Sequence, residues 1–285
     1  MPPARLARPK PLSKQILQTQ EKPANRRAFS ISGGYGYDVE RMRRLFPSLL
    51  LICLSGAGQD QRTSNLPPLP KIEVRRASAR PIIDGKLNEA DWKRADAVTF
   101  QFPWNEQTGA KQKTTARMLW DDEFLYISYE CEDTDITAHY TKRDDPTYKD
   151  DAVEAFINPR PAQGDVYFGF EMNVRAVMYD YIYLQAKYLV KRLNLEGFQL
   201  ATHSNGTMNA SGDKDQGWSL EVAIPFIEFE PLSNATPKAG DNWTINLNRW
   251  DGVEPNRRLS LWSDSAMVKP NPHNIRRFGT MVFVQ

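Results

Sequence analysis

The chain has 285 residues, 40% of them hydrophobic and 25% charged, with 37 basic and 35 acidic side chains and a formal net charge of +2. Such a composition belongs to a soluble globular protein and excludes a collagen-like, coiled-coil or wholly disordered chain, while two cysteines exclude a disulfide-stapled scaffold. The near-neutral total hides an asymmetry, because residues 1–44 carry ten Lys/Arg against three acids and the remainder carries a net of −5. That acidic body lacks the clustered positive charge that phosphate contact requires, so no nucleic-acid partner is expected.

In chain order, residues 1–41 are rich in Pro, Arg and Gln without apolar periodicity, and read as a disordered or mis-assigned upstream extension with Met42 as the true start. Residues 42–57 read as a signal peptide: Met42-Arg43-Arg44, an apolar run over 45–54, then Ser55-Gly56-Ala57 as a small-residue cleavage site. The run is too short for a transmembrane span, which takes ~20 apolar residues. Cys53 lacks the small residue expected just before a lipid-anchored cysteine. Export to the periplasm, the cell surface or the exterior is therefore expected. A Pro-rich linker over 58–70 follows. In the processed chain Cys131 is the remaining cysteine, and its place in an apolar run marks it as a small buried hydrophobe.

The body, 71–285, is a succession of short β-branched and aromatic runs separated by turn signals. The pattern predicts strands over 71–75, 115–120, 124–132, 152–158, 166–174, 177–184, 218–224, 243–250, 259–262 and 279–284, and helix over 88–94 and 187–195, the latter with an ambiguous period. Many strands with few crossover helices predict an all-β fold, an antiparallel β-sandwich of immunoglobulin-like or jelly-roll type with one or two short helices.

Period-two alternation then sorts side chains by face. Val166, Phe168, Phe170 and Met172 form an apolar face, opposite Tyr167, Gly169, Glu171 and Asn173. Glu154, Phe156 and Asn158 share one face of their strand, and Thr244, Asn246, Asn248 and Trp250 share one face of theirs. Carboxylates and amides beside aromatic rings are the mixture a sugar site uses: flat rings stack on a pyranose, and planar polar groups take its hydroxyls. Ordinary solvated sheet positions give the same alternation.

Ile82-Ile83-Asp84-Gly85-Lys86-Leu87-Asn88-Glu89-Ala90-Asp91-Trp92 resembles the opening motif of carbohydrate-binding module family 9, a relative of the DOMON sandwiches. Leu119–Tyr126, Asp151–Ile157, Trp218–Pro225 and Phe278–Phe283 resemble further segments of that family, in the family's order. The resemblance implies a β-sandwich that binds the end of a polysaccharide or oligosaccharide between aromatic rings. Carried over by position, Tyr148 stands for the family's first stacking tryptophan, Glu154 for its motif glutamate, Glu171 for its arginine, with Asn173 beside it, and Asn246 for its glutamine. The second tryptophan has no counterpart; Pro272 and His273 occupy its place, and His273 or Trp262 would have to substitute. Family structures with bound calcium suggest a structural ion here, with Asp133, Asp135 and Asp151 as candidate ligands. No other cofactor is expected.

The resemblance makes the chain a non-catalytic binder, working alone or beside a separately encoded glycoside hydrolase. Three other readings compete. Glu154 and Glu171 could serve as the carboxyl pair of a glycosidase, or the chain could be a hydrolase accessory with weak catalysis of its own. Related sandwiches hold haem b between methionine and histidine or lysine, for which Met172, Met178, Met267 and His273 are available. There is no Cys-x-x-Cys-His sequence for covalent haem, no Ser-His-Asp pattern, no Gly-rich phosphate loop and no zinc spacing.

Overall fold

In the computed structural model the described residues are 61–184, 188–191, 194–233 and 236–285, so the upstream extension and signal peptide expected over 1–57 lie outside them. The predicted strands form as follows: β1 (Lys71–Arg76), β3 (Thr114–Trp120), β4 (Phe124–Cys131), β5 (Ala152–Asn158), β6 (Val166–Asn173), β7 (Met178–Leu184), β10 (Gly217–Pro225), β11 (Asn242–Asp251), β12 (Arg258–Leu261) and β13 (Gly279–Val284). Three more strands form that alternation did not indicate: β2 (Ala97–Thr99), β8 (Tyr188–Lys191) and β9 (Gln199–Asn205). β8 corrects the helix expected over 187–195. Its Tyr-Leu-Val sequence suits a pleated edge, and it pairs antiparallel with β7 from Leu184 opposite Tyr188 to Tyr181 opposite Lys191. The single α-helix among the described residues, α1 (Ala90–Arg94), begins two residues later than the sequence suggested.

The strands run in the order β8-β7-β6-β5-β11-β13-β1-β3-β4-β10-β9, with β12 on β11 and β2 on β3. Pairing is antiparallel except at β1, which lies parallel to both β13 and β3. The sheet folds over so that β5, β6, β7 and β11 face β3, β4 and β10. Val153, Ala155, Ile157, Phe168, Phe170 and Met172 pack in one core with Ile127, Tyr129, Leu220, Val222 and Trp243. Each such buried side chain contributes roughly 1.5–3 kcal/mol, which is what closes the sandwich. The Tyr129 hydroxyl crosses between layers and donates to the Glu154 carbonyl at 2.9 Å. Cys131 is buried in this core as expected, and burial pushes its thiol up to about 12.

The opening motif is built around a buried carboxylate. Glu221 on β10 accepts the Trp92 indole N–H at 2.7 Å on one oxygen, and the amides of Gly85 (2.8 Å) and Asp84 (3.1 Å) on the other. Gly85 sits at φ +83° against the backbone of Thr202 and His203, where any side chain would collide. Among the described residues no helix is long and apolar enough to cross a membrane.

Candidate functional site

Strand pairing sets the site. Glu154 on β5 lies directly opposite Glu171 on β6, and Asn248 on β11 lies opposite Glu154 from the other side. Directly opposed residues project to the same face with Cβ atoms about 5 Å apart. The core lies on the inner face, so these polar groups emerge on the outer face of the sheet. There Glu154 and Glu171 floor a cavity of about 300 Å³, and the buried Asn248 amide donates to Glu154 at 3.3 Å.

The walls are aromatic. Tyr179, Tyr181 and Tyr183 recur with period two on β7 and so share its outer face. Tyr148, on a 3-10 turn held by the Thr147 hydroxyl donating to the Glu171 carbonyl (2.9 Å), meets Tyr179 at 5.9 Å between ring centroids. Trp250 closes the β11 side and carries the Arg257 guanidinium 4.0 Å from its ring centroid. Residues 270–273 complete the rim. That loop is fixed by the Ser265 hydroxyl donating to the Asn271 carbonyl (2.7 Å), and by the Asn271 side chain accepting the His273 amide (2.8 Å).

The floor is electrostatically unusual. Glu154 is 1% exposed and Glu171 3%. Burial pushes Glu154 up to about 7, against the opposing pull of the Arg257 charge and of hydrogen bonds from Asn248 and Trp250. Burial and the neighbouring Glu154 charge raise Glu171 well above the usual carboxylate range, although the Tyr181 hydroxyl donates to its Oε1 at 2.7 Å. Its Oε2 is buried and accepts no hydrogen bond.

Of the seven sugar-site residues expected from sequence, Tyr148, Glu154, Glu171 and His273 line this cavity. His273 stacks on Phe156 (4.9 Å, 15°) and Tyr183 (5.4 Å, 15°), its Nδ1 lies 2.6 Å from the Tyr167 hydroxyl, and burial pushes it down to about 4. It therefore anchors the rim loop as well as facing the cavity. The other three do not line it. Asn173 donates to the Tyr140 carbonyl and Asp150 and accepts from the Arg175 and Val177 amides, so its amide is consumed by the β6–β7 turn. Asn246 exchanges two hydrogen bonds with the Ser263 backbone, at 3.0 and 2.9 Å. Trp262 is packed in the core against Gly279. Sequence reasoning put Asn248 and Trp250 on the polar face without naming them as site residues, and passed over Tyr179, Tyr181, Tyr183 and Arg257; the alternating tyrosines of Tyr179-Asp180-Tyr181-Ile182-Tyr183 were a legible signal for three of them.

A second polar cluster lies at the same, C-terminal end of β11, around Arg249 and Asp251, which alternate with Asn248 and Trp250 and so project to the opposite face. Asp133, Asp151 and Asp251 are buried, with carboxylate oxygens within 4.8 Å of one another; Asp251 replaces Asp135, which is exposed. Calcium takes six to eight oxygen ligands. Here Arg249, wholly buried, donates to Asp133 (3.0 Å) and Asp251 (2.8 Å), and Arg258 pairs with Asp251. Asp151 accepts the Thr137 and Gly252 amides. All the carboxylate oxygens already have donors and two guanidiniums supply the countercharge, so the cluster does not fit a calcium cage. Of the haem candidates, Met172 and Met178 lie in the core while His273 is held on the outer face, so the structure does not bring these three together.

The family model of the carbohydrate family 9 binding domain-like family matches residues 83–285. The chain belongs to that family. Over 188 residues it is 30% identical to exoglucanase XynX of Acetivibrio thermocellus, a stretch that covers 65% of this chain and 15% of the exoglucanase. Among solved structures, a Bacteroides uniformis protein assigned to carbohydrate binding matches with a TM-score of 0.63 at 16% identity, covering 76% of this chain and 100% of that one. A family 9 module from Caldicellulosiruptor kristjanssonii, solved in complex with cellotriose, matches with a TM-score of 0.53 at 17% identity over 75% of this chain and 93% of that one. At these identities the two likenesses are of fold, and they agree with the β-sandwich. The outer-face cavity thus sits on a family 9 sandwich.

Proposed function

We propose that this chain is an exported, non-catalytic carbohydrate-binding protein, and that its site is the cavity over Glu154 and Glu171. The observation that carries the reading is the in-register pair of buried carboxyls between tyrosine and tryptophan walls. Tyr148 and Tyr179 on one side and Trp250 on the other offer stacking faces, while Glu154 and Glu171 offer hydrogen bonds to hydroxyls. At about 300 Å³ the cavity is at the small end of ligand sites, which suits a chain end of one or two sugar rings.

A retaining glycosidase pair needs one ionised carboxylate beside one protonated acid. Burial raises both Glu154 and Glu171 above the usual carboxylate range, and the matching family is one of binding domains. Capture rather than cleavage is the better reading, with hydrolysis left to a separately encoded glycoside hydrolase. The Met42–Ala57 segment supports export.

A glycan array probed with the full chain tests the proposal. Sugars bound by the wild type and lost with Tyr148→Ala support it; silence from a folded wild type contradicts it.

A further inference from the structure

The floor of the cavity is acceptor-rich. Glu154 and Glu171 contribute four carboxyl oxygens, and neither makes an ion pair within 4 Å among the described residues. The buried Oε2 of Glu171 and the buried Oδ1 of Asn248 both lack a donor. Arg257, whose charge reaches both Glu154 and Glu171, is stacked on Trp250 with its buried Nε and Nη2 unpartnered, and it bonds neither carboxyl. A sugar hydroxyl both donates and accepts, so a neutral ring would meet this surplus of acceptors with only part of its capacity. An ammonium only donates, three times, and carries the charge that a buried carboxyl pair lacks.

The walls point the same way. Tyr148, Tyr179, Tyr181 and Trp250 bring ring faces and edges round the space, with Tyr179 tilted 60° to Tyr148 and 54° to Tyr181. The electron-rich faces of tyrosine and tryptophan attract cations, and aromatic enclosures with acids at the base are how organic ammonium groups are recognised. The same rings stack on a pyranose.

We infer that the cavity prefers a sugar end bearing a free ammonium group, of the glucosamine type, over its neutral counterpart. The inference rests on the carbohydrate reading above and names the class of sugar. Glu171 Oε2 takes the ammonium, Glu154 shares it, and the tyrosine walls hold the ring. Burial and mutual repulsion, which raise both carboxyls in the free protein, are relieved when the cation enters.

The test is calorimetric titration of the full chain at pH 7 with the β-1,4-linked glucosamine dimer, its N,N′-diacetylated form and cellobiose, which share one ring geometry and differ in charge. The free amine should bind about tenfold tighter than both neutral sugars, which is about 1.4 kcal/mol. Glu171→Gln should bring the three affinities within about threefold of one another, since one charge-assisted contact accounts for most of that preference. Should Glu171→Gln not fold, Tyr179→Ala serves instead and should weaken the amine more than cellobiose; an equal loss counts against the inference. Equal or weaker binding of the amine by the wild type overturns the inference and leaves the carbohydrate reading standing. Absence of binding by all three sugars overturns both.

Discussion

The Tyr181 hydroxyl donates to Oε1 of Glu171 at 2.7 Å, and its ring gets there by lying across Gly169, the residue opposite it on β6. A Cβ at position 169 would fall inside the Tyr181 ring. The missing side chain of one residue therefore sets the hydrogen bond of another and the shape of the cavity wall. Gly169→Ala should cost about 1–3 kcal/mol of stability through overpacking. It should also weaken sugar binding by turning Tyr181 away. Denaturant unfolding and near-ultraviolet dichroism of the tyrosines check both; an unchanged midpoint contradicts the packing argument.

The buried carboxyls make stability depend on pH in a defined sense. Glu154 titrates at about 7 and Asp151 at about 8 in the folded protein, and Glu171 is raised as well, whereas unfolded carboxyls titrate near 4. The folded state therefore binds these protons more tightly, so their contribution is full below about pH 4 and is lost as pH rises through 7 to 8. The melting temperature should fall between pH 5 and pH 8, and Glu154→Gln and Asp151→Asn should each flatten that slope. A melting temperature that rises over this window contradicts the assignment.

Glu221 ties the 84–92 segment to β10 through Trp92, Gly85 and Asp84. Glu221→Ala strands two buried donors, Trp92 and Gly85, at a cost of about 1–3 kcal/mol for each that stays unpaired, and frees the part-buried Asp84 amide. Trp92→Phe removes one donor and should cost less. Hydrogen exchange should show both variants opening the 84–92 segment first, and a uniform loss of protection contradicts the local role.

Arg249, with Arg258 on Asp251, supplies the positive charge among Asp133, Asp151 and Asp251. Arg249→Met should destabilise by about 3–5 kcal/mol, because buried carboxylates are left uncompensated. A chelator should leave the wild-type melting temperature unchanged. A drop of several degrees, restored by calcium, would show that a cation and not the arginine neutralises the cluster.

What the sequence disclosed follows from what period-two patterns encode. Alternation separated Phe168, Phe170 and Met172 from Glu171, and the core and the outer face divide along that line. It could not tell which outer-face amides point at a ligand. Asn173 and Asn246 share the face of Glu154 and Glu171, but both are spent on backbone groups of neighbouring turns, and only three-dimensional hydrogen bonding reveals that. Arg257 comes from the β11–β12 loop, and Arg249 reaches Asp133, 116 residues away in the chain, as well as its neighbour Asp251, so neither role is written in a local pattern. The strand β8 was hidden because Tyr188–Lys191 is too short for its period to be read.

The central claim is that the outer-face cavity over Glu154 and Glu171 receives the end of a sugar chain. A crystal structure of the full chain grown with cellotriose tests it most directly. The account predicts a terminal ring between Tyr148 and Trp250 with its hydroxyls on Glu154 and Glu171. Cellotriose bound instead at the cleft lined by Lys86, His203 and Trp218, with the Glu154 cavity empty, would contradict it.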